Sequence, residues 1–255
     1  MQELKLAVLI DADNVPYAKV REMLQEISKN GTPTIKRIYG DWTKPHLTGW
    51  KNVLLENAIT PIQQYNYTVG KNSSDSAMII DAMDILYSDK VNGFCIVSSD
   101  SDFTRLATRV REAGMLVIGL GEKKTPQPFI AACNKFIYIE ILDEVEELEI
   151  HPTTDSTDKV VTKTKKRTLE KAIDKVDRNT VKLIVNSVDD LADDTGWTFL
   201  GSLGSLISKK KPDFDPRNYG FSKLYELIKH IGKFEIDERD SGGFKQVKHI
   251  YLRKI

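Results

Sequence analysis

Along the first 140 residues, short apolar runs rich in β-branched side chains alternate with longer stretches in which apolar positions return every three to four residues. Runs of the first kind predict strands near 5–10, 34–39, 60–65, 93–98, 115–120 and 136–140. Stretches of the second kind predict helices near 16–30, 46–58, 74–88, 102–113 and 126–133. Pro16 is well placed to open a helix, and Gly31 and Gly114 stand where helices commonly end. Strands alternating with helices are the signature of βαβ units. The expected fold class is therefore α/β, a doubly wound parallel sheet with helices on both faces and a ligand crevice at the carboxyl ends of its strands.

The pattern breaks after residue 150. Residues 151–167 are dominated by Thr, Ser, Asp and Lys with almost no large apolar residue, which predicts a flexible linker between a domain at 1–150 and a smaller one at 168–255. In the second domain, residues 168–194 and 221–231 have helical periodicity. Residues 234–237 and 246–252 alternate like strands around the turn Ser241-Gly242-Gly243. Helices followed by such a hairpin predict an α+β winged-helix shape.

Charge changes the picture only when it is divided. The 37 basic and 37 acidic side chains cancel overall, but residues 1–150 hold 16 basic and 21 acidic groups and residues 151–255 hold 21 and 16. An acidic half joined to a basic half suits an enzyme with a carboxylate site followed by a module for an anionic partner. The two cysteines, Cys95 and Cys133, sit in apolar stretches without metal-ligand spacing and read as core thiols in a reducing compartment. The apolar run before Asp11 is too short for a signal segment or a membrane span, so the expectation is a cytoplasmic protein that does not involve a membrane.

The candidate chemistry lies at strand ends. Asp11 follows the first predicted strand directly, and Asp100 and Asp102 follow the fourth in the segment Ser98-Ser99-Asp100-Ser101-Asp102-Phe103. Asp75 belongs to the start of the helix after Gly70-Lys71-Asn72-Ser73-Ser74, where unpaired amides and the helix dipole favour negative charge. Carboxylates brought together raise one another's pKa, and a divalent cation removes that cost. Oxygen ligands without His or Cys suit Mg²⁺ or Mn²⁺, which would support hydrolysis of a phosphodiester.

Simpler roles compete with this one. Asp13 or Asn14 would serve as a helix cap before Pro16, and Asp102 as a first-turn acid on a helix capped by Ser101. Asp81 lies about 120° around the helix from Asp75, which favours a solvated or ion-paired role, and Asp84 is weaker still. Lys71 is placed to pair with Asp75 or reach a phosphate, and Lys123 and Lys124 stand at the same sheet edge, as phosphate contacts or as a solvated loop. No phosphate-binding GxxxxGK[ST] loop occurs, and Gly119-Leu120-Gly121 lacks the rest of a dinucleotide fingerprint.

Asp11-Ala12-Asp13-Asn14, Lys71-Asn72-Ser73-Ser74-Asp75 with Asp81, and Ser98-Ser99-Asp100-Ser101-Asp102-Phe103 together resemble the NYN family of PIN-like nucleases, in its LabA-like branch, over residues 4–142. The resemblance implies an endoribonuclease for single-stranded RNA that uses Mg²⁺ or Mn²⁺. It places Asp11, Asp75, Asp100 and Asp102 at the family's acidic positions and Asn14 at its common Asn. Ser99 departs from the pattern, standing where a Gly is frequent. Gly196-Trp197, Leu200, Leu203, Leu206-Ile207, the segment from Pro212 through Arg217, and that from Tyr219 through Leu224 resemble the LOTUS module, also called OST-HTH. That resemblance implies a winged helix that binds RNA or a protein partner. Lys209, Lys210, Lys211, Arg217, Lys223, Lys229 and Lys245 would supply its phosphate contacts, with a merely solvated face as the alternative.

Two other functions compete. A haloacid-dehalogenase-type phosphatase would use Asp11 as nucleophile and Asp13 as acid, but Asn14-Val15-Pro16 and the want of a cap insertion fit it poorly. A non-catalytic RNA-binding adaptor would use the same sheet edge only to hold partners, and concentrated negative charge argues against it.

Overall fold

The computed structural model describes residues 3–65, 73–142, 172–240 and 248–255. The chain runs β1 (Lys5–Asp11), α1 (Val20–Ser28), β2 (Thr32–Gly40), α2 (Trp50–Glu56), β3 (Thr60–Gln63), α3 (Ser73–Tyr87) and β4 (Gly93–Val97). It continues through α4 (Thr104–Glu112), β5 (Leu116–Gly121), α5 (Gln127–Ala132) and β6 (Lys135–Tyr138). The six strands form one parallel sheet in the order β3-β2-β1-β4-β5-β6. The order reverses between β1 and β4, and crevices for ligands form outside the carboxyl ends of strands at such a point.

Strand alternation divides the interior into two layers. Leu6, Val8 and Ile10 of β1, with Cys95 and Val97 of β4, pack against α1 and α2 through Val20, Met23, Ile27, Trp50 and Leu54. Ala7 and Leu9, with Phe94 and Ile96, pack against α3, α4 and α5 through Met78, Ala82, Leu106, Val110 and Phe129. Because side chains alternate with a period of two, Asp11 continues the Ala7 and Leu9 face and is directed toward the α3 side. Both cysteines are buried free thiols in these layers, and burial pushes Cys133 up to about 12.

Every strand and helix expected in this domain is present, with altered ends. Two helices begin later than the periodicity implies, because the 3-10 turns Tyr17–Lys19 and Pro45–Leu47 precede α1 and α2. Pro16 therefore precedes a 3-10 turn, and α1 proper opens only after Lys19, whose φ of −105° interrupts the helix. Gly114 adopts the left-handed φ of 81° expected of a helix terminator. Gly31 does something else. A Cβ there would lie 2.6 Å from the Leu4 carbonyl oxygen, so the residue permits close approach where the chain enters the sheet.

The smaller C-terminal domain contains α6 (Arg178–Leu191), β7 (Trp197–Phe199), α7 (Leu200–Lys210), α8 (Leu224–Ile231), β8 (Phe234–Asp240) and β9 (Lys248–Lys254). Its antiparallel sheet has the order β7-β9-β8, and Ile184, Val188, Leu203, Ile207, Leu227 and Leu252 fill the core beneath it. The periodicity predicted the hairpin strands but not β7, whose three residues are too few to show alternation. Asp177 caps α6 by accepting the Thr180 N–H at 2.7 Å, so the described residues 172–177 of the expected helical stretch lie before the helix. The expected linker at 151–167 and the turn Ser241-Gly242-Gly243 lie outside the described residues.

The second domain packs along the open edge of β6. The Phe136 N–H donates to the Pro212 carbonyl at 2.8 Å, and the Tyr138 hydroxyl donates to Asp213 at 2.9 Å. Ile173 packs on both layers of the larger core. Arg217 grips Glu26 of α1 through two bonds of 3.0 and 2.8 Å, and its guanidinium also donates to Asp215 at 3.0 and 2.7 Å. Burial alone would raise the Glu26 pKa, but hydrogen bonds from Arg217 and Lys29 bring it down to about 2.

Breaking such a pair leaves an uncompensated charge in the contact. Arg217→Met is expected to cost about 3 kcal/mol in urea denaturation at pH 7. Glu26 has a lowered pKa in the folded state, so the contribution is complete above its ordinary value of 4.5 and is lost as pH falls toward about 2. The difference between wild type and variant should shrink across that window.

Candidate active site

β1 and β4 end side by side, with Ile10 paired to Val97, and both deliver carboxylates to the carboxyl edge of the sheet. Asp11 is the last residue of β1 and is only 1% exposed. Its carboxylate is occupied on both oxygens. The Asp13 N–H donates to Oδ1 at 3.2 Å, while Asn14 Nδ2 at 2.6 Å and Ser98 Oγ at 2.9 Å donate to Oδ2. Desolvation nevertheless prevails over these bonds and raises its pKa.

Ser98, fully buried, couples the two strand ends. Its hydroxyl donates to Asp11 and accepts the Asp100 N–H at 3.1 Å. Asp100 in turn accepts the Asp102 N–H at 2.9 Å and caps the 3-10 turn Ser101–Phe103 that leads into α4. Ser101 was the expected cap, yet Asp100 takes that position, and its side chain reaches back over the turn. Ser99, at the position where the NYN pattern often has Gly, accepts the Glu122 N–H at 2.8 Å and ties the turn to the loop after β5.

Asp75, in the first turn of α3, completes the arrangement. Ligand oxygens of Asp75, Asp100 and Asp102 all lie within 4.8 Å of one another. Asp75 is buried, Asp100 half-buried and Asp102 exposed, so the group opens from the protein toward solvent. Burial first, then the charges of Asp11, Asp100, Asp102 and Asp13, raise the Asp75 pKa to about 6. Asp11, one of the four aspartates that the resemblance places at the family's acidic positions, stands outside the group of three. Asp102, for which a helix-start role was open, stands within it.

The remaining residues sort by contact. Neither Asp13 nor Asn14 caps a helix: Asn14 binds Asp11, and Asp13 accepts from His46 at 2.8 Å. Asp81 pairs with Arg37 and the Tyr39 hydroxyl, on the next strand over. Lys123 donates to Asp174 at 2.7 Å and to the Ile173 carbonyl, so it serves the contact between domains, as Arg217 does with Glu26. Lys124 pairs with Glu122 at 2.5 Å. Lys210 binds Ser187 and Asp190, and Lys211 donates to Tyr219 at 3.2 Å. Lys209 and Lys223 are exposed, and Lys229 lies over the Tyr225 ring. Lys71 and Lys245 lie outside the described residues.

Two participants had no role assigned from sequence. Ser98 lay inside a quoted motif, and only the adjacency of β1 and β4 shows that it bridges them. His46 is 33 residues from Asp13, and no spacing rule connects them. A further strand-end carboxylate, Asp41 after β2, is held by Thr43 and by Gln63 at 3.1 Å and lies outside the group of three.

A doubly wound parallel sheet with carboxylates gathered at its switch point defines a PIN-like domain. The chain belongs to the NYN domain family, whose model matches residues 5–141, and the OST-HTH/LOTUS domain model matches residues 171–246. Among solved structures, the chain is similar to a protein of unknown function from Vibrio parahaemolyticus, at 21% identity over 55% of this chain and 96% of that one, with a TM-score of 0.46. It is also similar to an uncharacterized protein from Nitrosomonas europaea, at 28% identity over 41% of this chain and 92% of that one, with a TM-score of 0.28. No curated protein matches the chain.

The raised Asp75 pKa has a measurable consequence in protein freed of divalent cations. The folded state holds this proton up to about pH 6 while the unfolded chain releases it near 3.8, so stability falls as pH rises between those values and then levels. Asp75→Asn removes the penalty. The variant is expected to melt above wild type at pH 7 in chelator and to match it at pH 4.

Proposed function

We propose that this protein is a metal-dependent endoribonuclease that cuts single-stranded RNA, with its C-terminal domain holding the RNA or a protein partner. The observation that carries the reading is the convergence of Asp75, Asp100 and Asp102 within 4.8 Å at the switch point of an NYN domain. Three carboxylates without His or Cys form an oxygen donor set that fits Mg²⁺ or Mn²⁺. Such an ion supplies charge neutralisation at a phosphate and acidifies a water for attack.

The chain's own residues supply the rest. Asp75, Asp100 and Asp102 would hold the ion, with Asp75 giving up its proton as it does so. Asp11 fixes Asn14 and Ser98, and Ser98 orients the backbone that carries Asp100. Asp11 thus acts as a positioning residue that also adds negative field. Lys209 and Lys223 are exposed cations of the C-terminal domain that would meet phosphate. Among the described residues no helix is long and apolar enough to cross a membrane, and we assign the activity to the cytoplasm.

The competing readings fare less well on the same geometry. A phosphatase nucleophile needs an open carboxylate oxygen, whereas both oxygens of Asp11 are bonded and the residue is buried. An adaptor that only binds RNA gains nothing from carboxylates that repel phosphate.

Purified protein incubated with unstructured RNA should cleave it with Mg²⁺ or Mn²⁺ and stop in chelator. Asp100→Asn and Asp102→Asn are each expected to lower the rate by about a hundredfold or more. Absence of cleavage by wild type across a broad RNA panel, with tight metal-independent binding, would instead establish the adaptor. A second assay needs no substrate: Mn²⁺ should raise the melting temperature of wild type and leave that of Asp75→Asn unchanged.

A further inference from the structure

The loops after β1 and β2 meet at two points, the first of them beside the carboxylates. At the first, His46 Nε2 lies 2.8 Å from Asp13 Oδ1, and Asp13 is close enough to Asp75 to contribute to its raised pKa. At the second, Tyr17 lies against Gly49, four residues further along in one loop and three in the other. The loops are held together at the sheet edge, since the Ala12 N–H donates to the Tyr39 carbonyl at 3.0 Å and a Cβ on Gly40 would lie 3.0 Å from that of Ala12.

Tyr17 is unusual in being both exposed and fixed. It is 46% exposed, yet its ring meets the buried Trp50 edge-on, with centroids 6.5 Å apart. Gly49 has φ −59° and ψ −26°, a helical conformation open to any residue. What the glycine leaves is space: a Cβ would lie 2.5 to 2.9 Å from three atoms of the Tyr17 ring, and the ring would have to shift. Gly49 stands just before α2, as its N-cap, and there the ring gains a bed of bare backbone.

We propose that Tyr17 and His46 form a nucleotide subsite beside the carboxylates, in which Tyr17 stacks a base of single-stranded RNA and His46 contacts the sugar–phosphate backbone. The proposal rests on the nuclease reading for its substrate class. An exposed ring held in place is suited to stacking, because little freedom is lost when a base covers it and every base has a face to offer. For His46, a carboxylate can only accept, so Nε2 carries the hydrogen toward Asp13 and Nδ1 is the nitrogen that meets a ligand. Asp13 thereby orients an imidazole at the rim of the acidic group. Base stacking also offers a neutral attraction where negative charge repels the backbone.

The test is binding, read without turnover. Fluorescence anisotropy with a labelled, unstructured ten-nucleotide RNA in chelator should show Tyr17→Ala weakening binding about tenfold. Tyr17→Phe should stay within about twofold of wild type, because the ring and not the hydroxyl stacks. Gly49→Ala keeps the ring but displaces it, and is expected to weaken binding like Tyr17→Ala. His46→Ala should give a smaller loss, about threefold. A series of strands with one abasic position should reveal a position that matters to wild type and not to Tyr17→Ala; a variant that had merely unfolded would lose binding to every strand and its thermal transition. Equal affinity of wild type and Tyr17→Ala, or an abasic profile unchanged by the substitution, would overturn the subsite. If no protein cleaves RNA but the Tyr17-dependent profile persists, the nuclease reading fails and the subsite stands. If cleavage is normal and Tyr17→Ala binds every strand as wild type does, the subsite fails and the nuclease reading stands.

Discussion

Four aspartates crowd the end of two neighbouring strands and the first turn of a helix, and the repulsion among them is the constraint around which this edge of the protein is organised. Burial, and after it the charges of its neighbours, raises the Asp75 pKa to about 6. The fold answers the repulsion locally with donors. Asn14, Ser98 and the Asp13 N–H converge on Asp11, and the Asp102 N–H meets Asp100. The donors are neutral, so they hold the carboxylates without cancelling their negative field.

The parallel sheet makes that crowding structurally affordable. Leu6, Val8 and Ile10 face one helical layer and Ala7 and Leu9 the other, so β1 is anchored on both sides and its last residue has little freedom. β4 is anchored the same way, and the register that pairs Ile10 with Val97 brings the two ends level. A one-residue slip would turn Asp11 to the opposite layer, away from α3. Precision at the edge therefore derives from apolar packing well below it.

Much of this was legible from the sequence because period-two and period-3.6 patterns are strong over long elements. The six parallel strands, the five helices and the carboxylates at strand ends follow from spacing alone. What spacing does not carry is contact between distant segments. Ser98 and Asp11 are 87 residues apart and His46 and Asp13 are 33 apart, and each pair meets only because strands adjacent in space need not be adjacent in sequence. How deeply each aspartate lies is not legible along the chain for a related reason. Asp11 is more deeply placed than Asp102, and depth depends on what covers a strand end, which a one-dimensional pattern does not record. Short elements were lost as well, as β7 and the 3-10 turns show.

The division of charge between the two halves of the chain also acquires a second meaning. A basic C-terminal half reads naturally as a surface for polyanions, but part of that charge faces the first domain. Arg217 meets Glu26 and Asp215, while in the opposite sense Lys123 of the first domain meets Asp174 of the second. A contact built from crossed charges, a backbone hydrogen bond and the Tyr138–Asp213 pair is directional, and it fixes one face of the second domain against β6. The charge of the C-terminal half is thus divided between this contact and exposed cations such as Lys209 and Lys223.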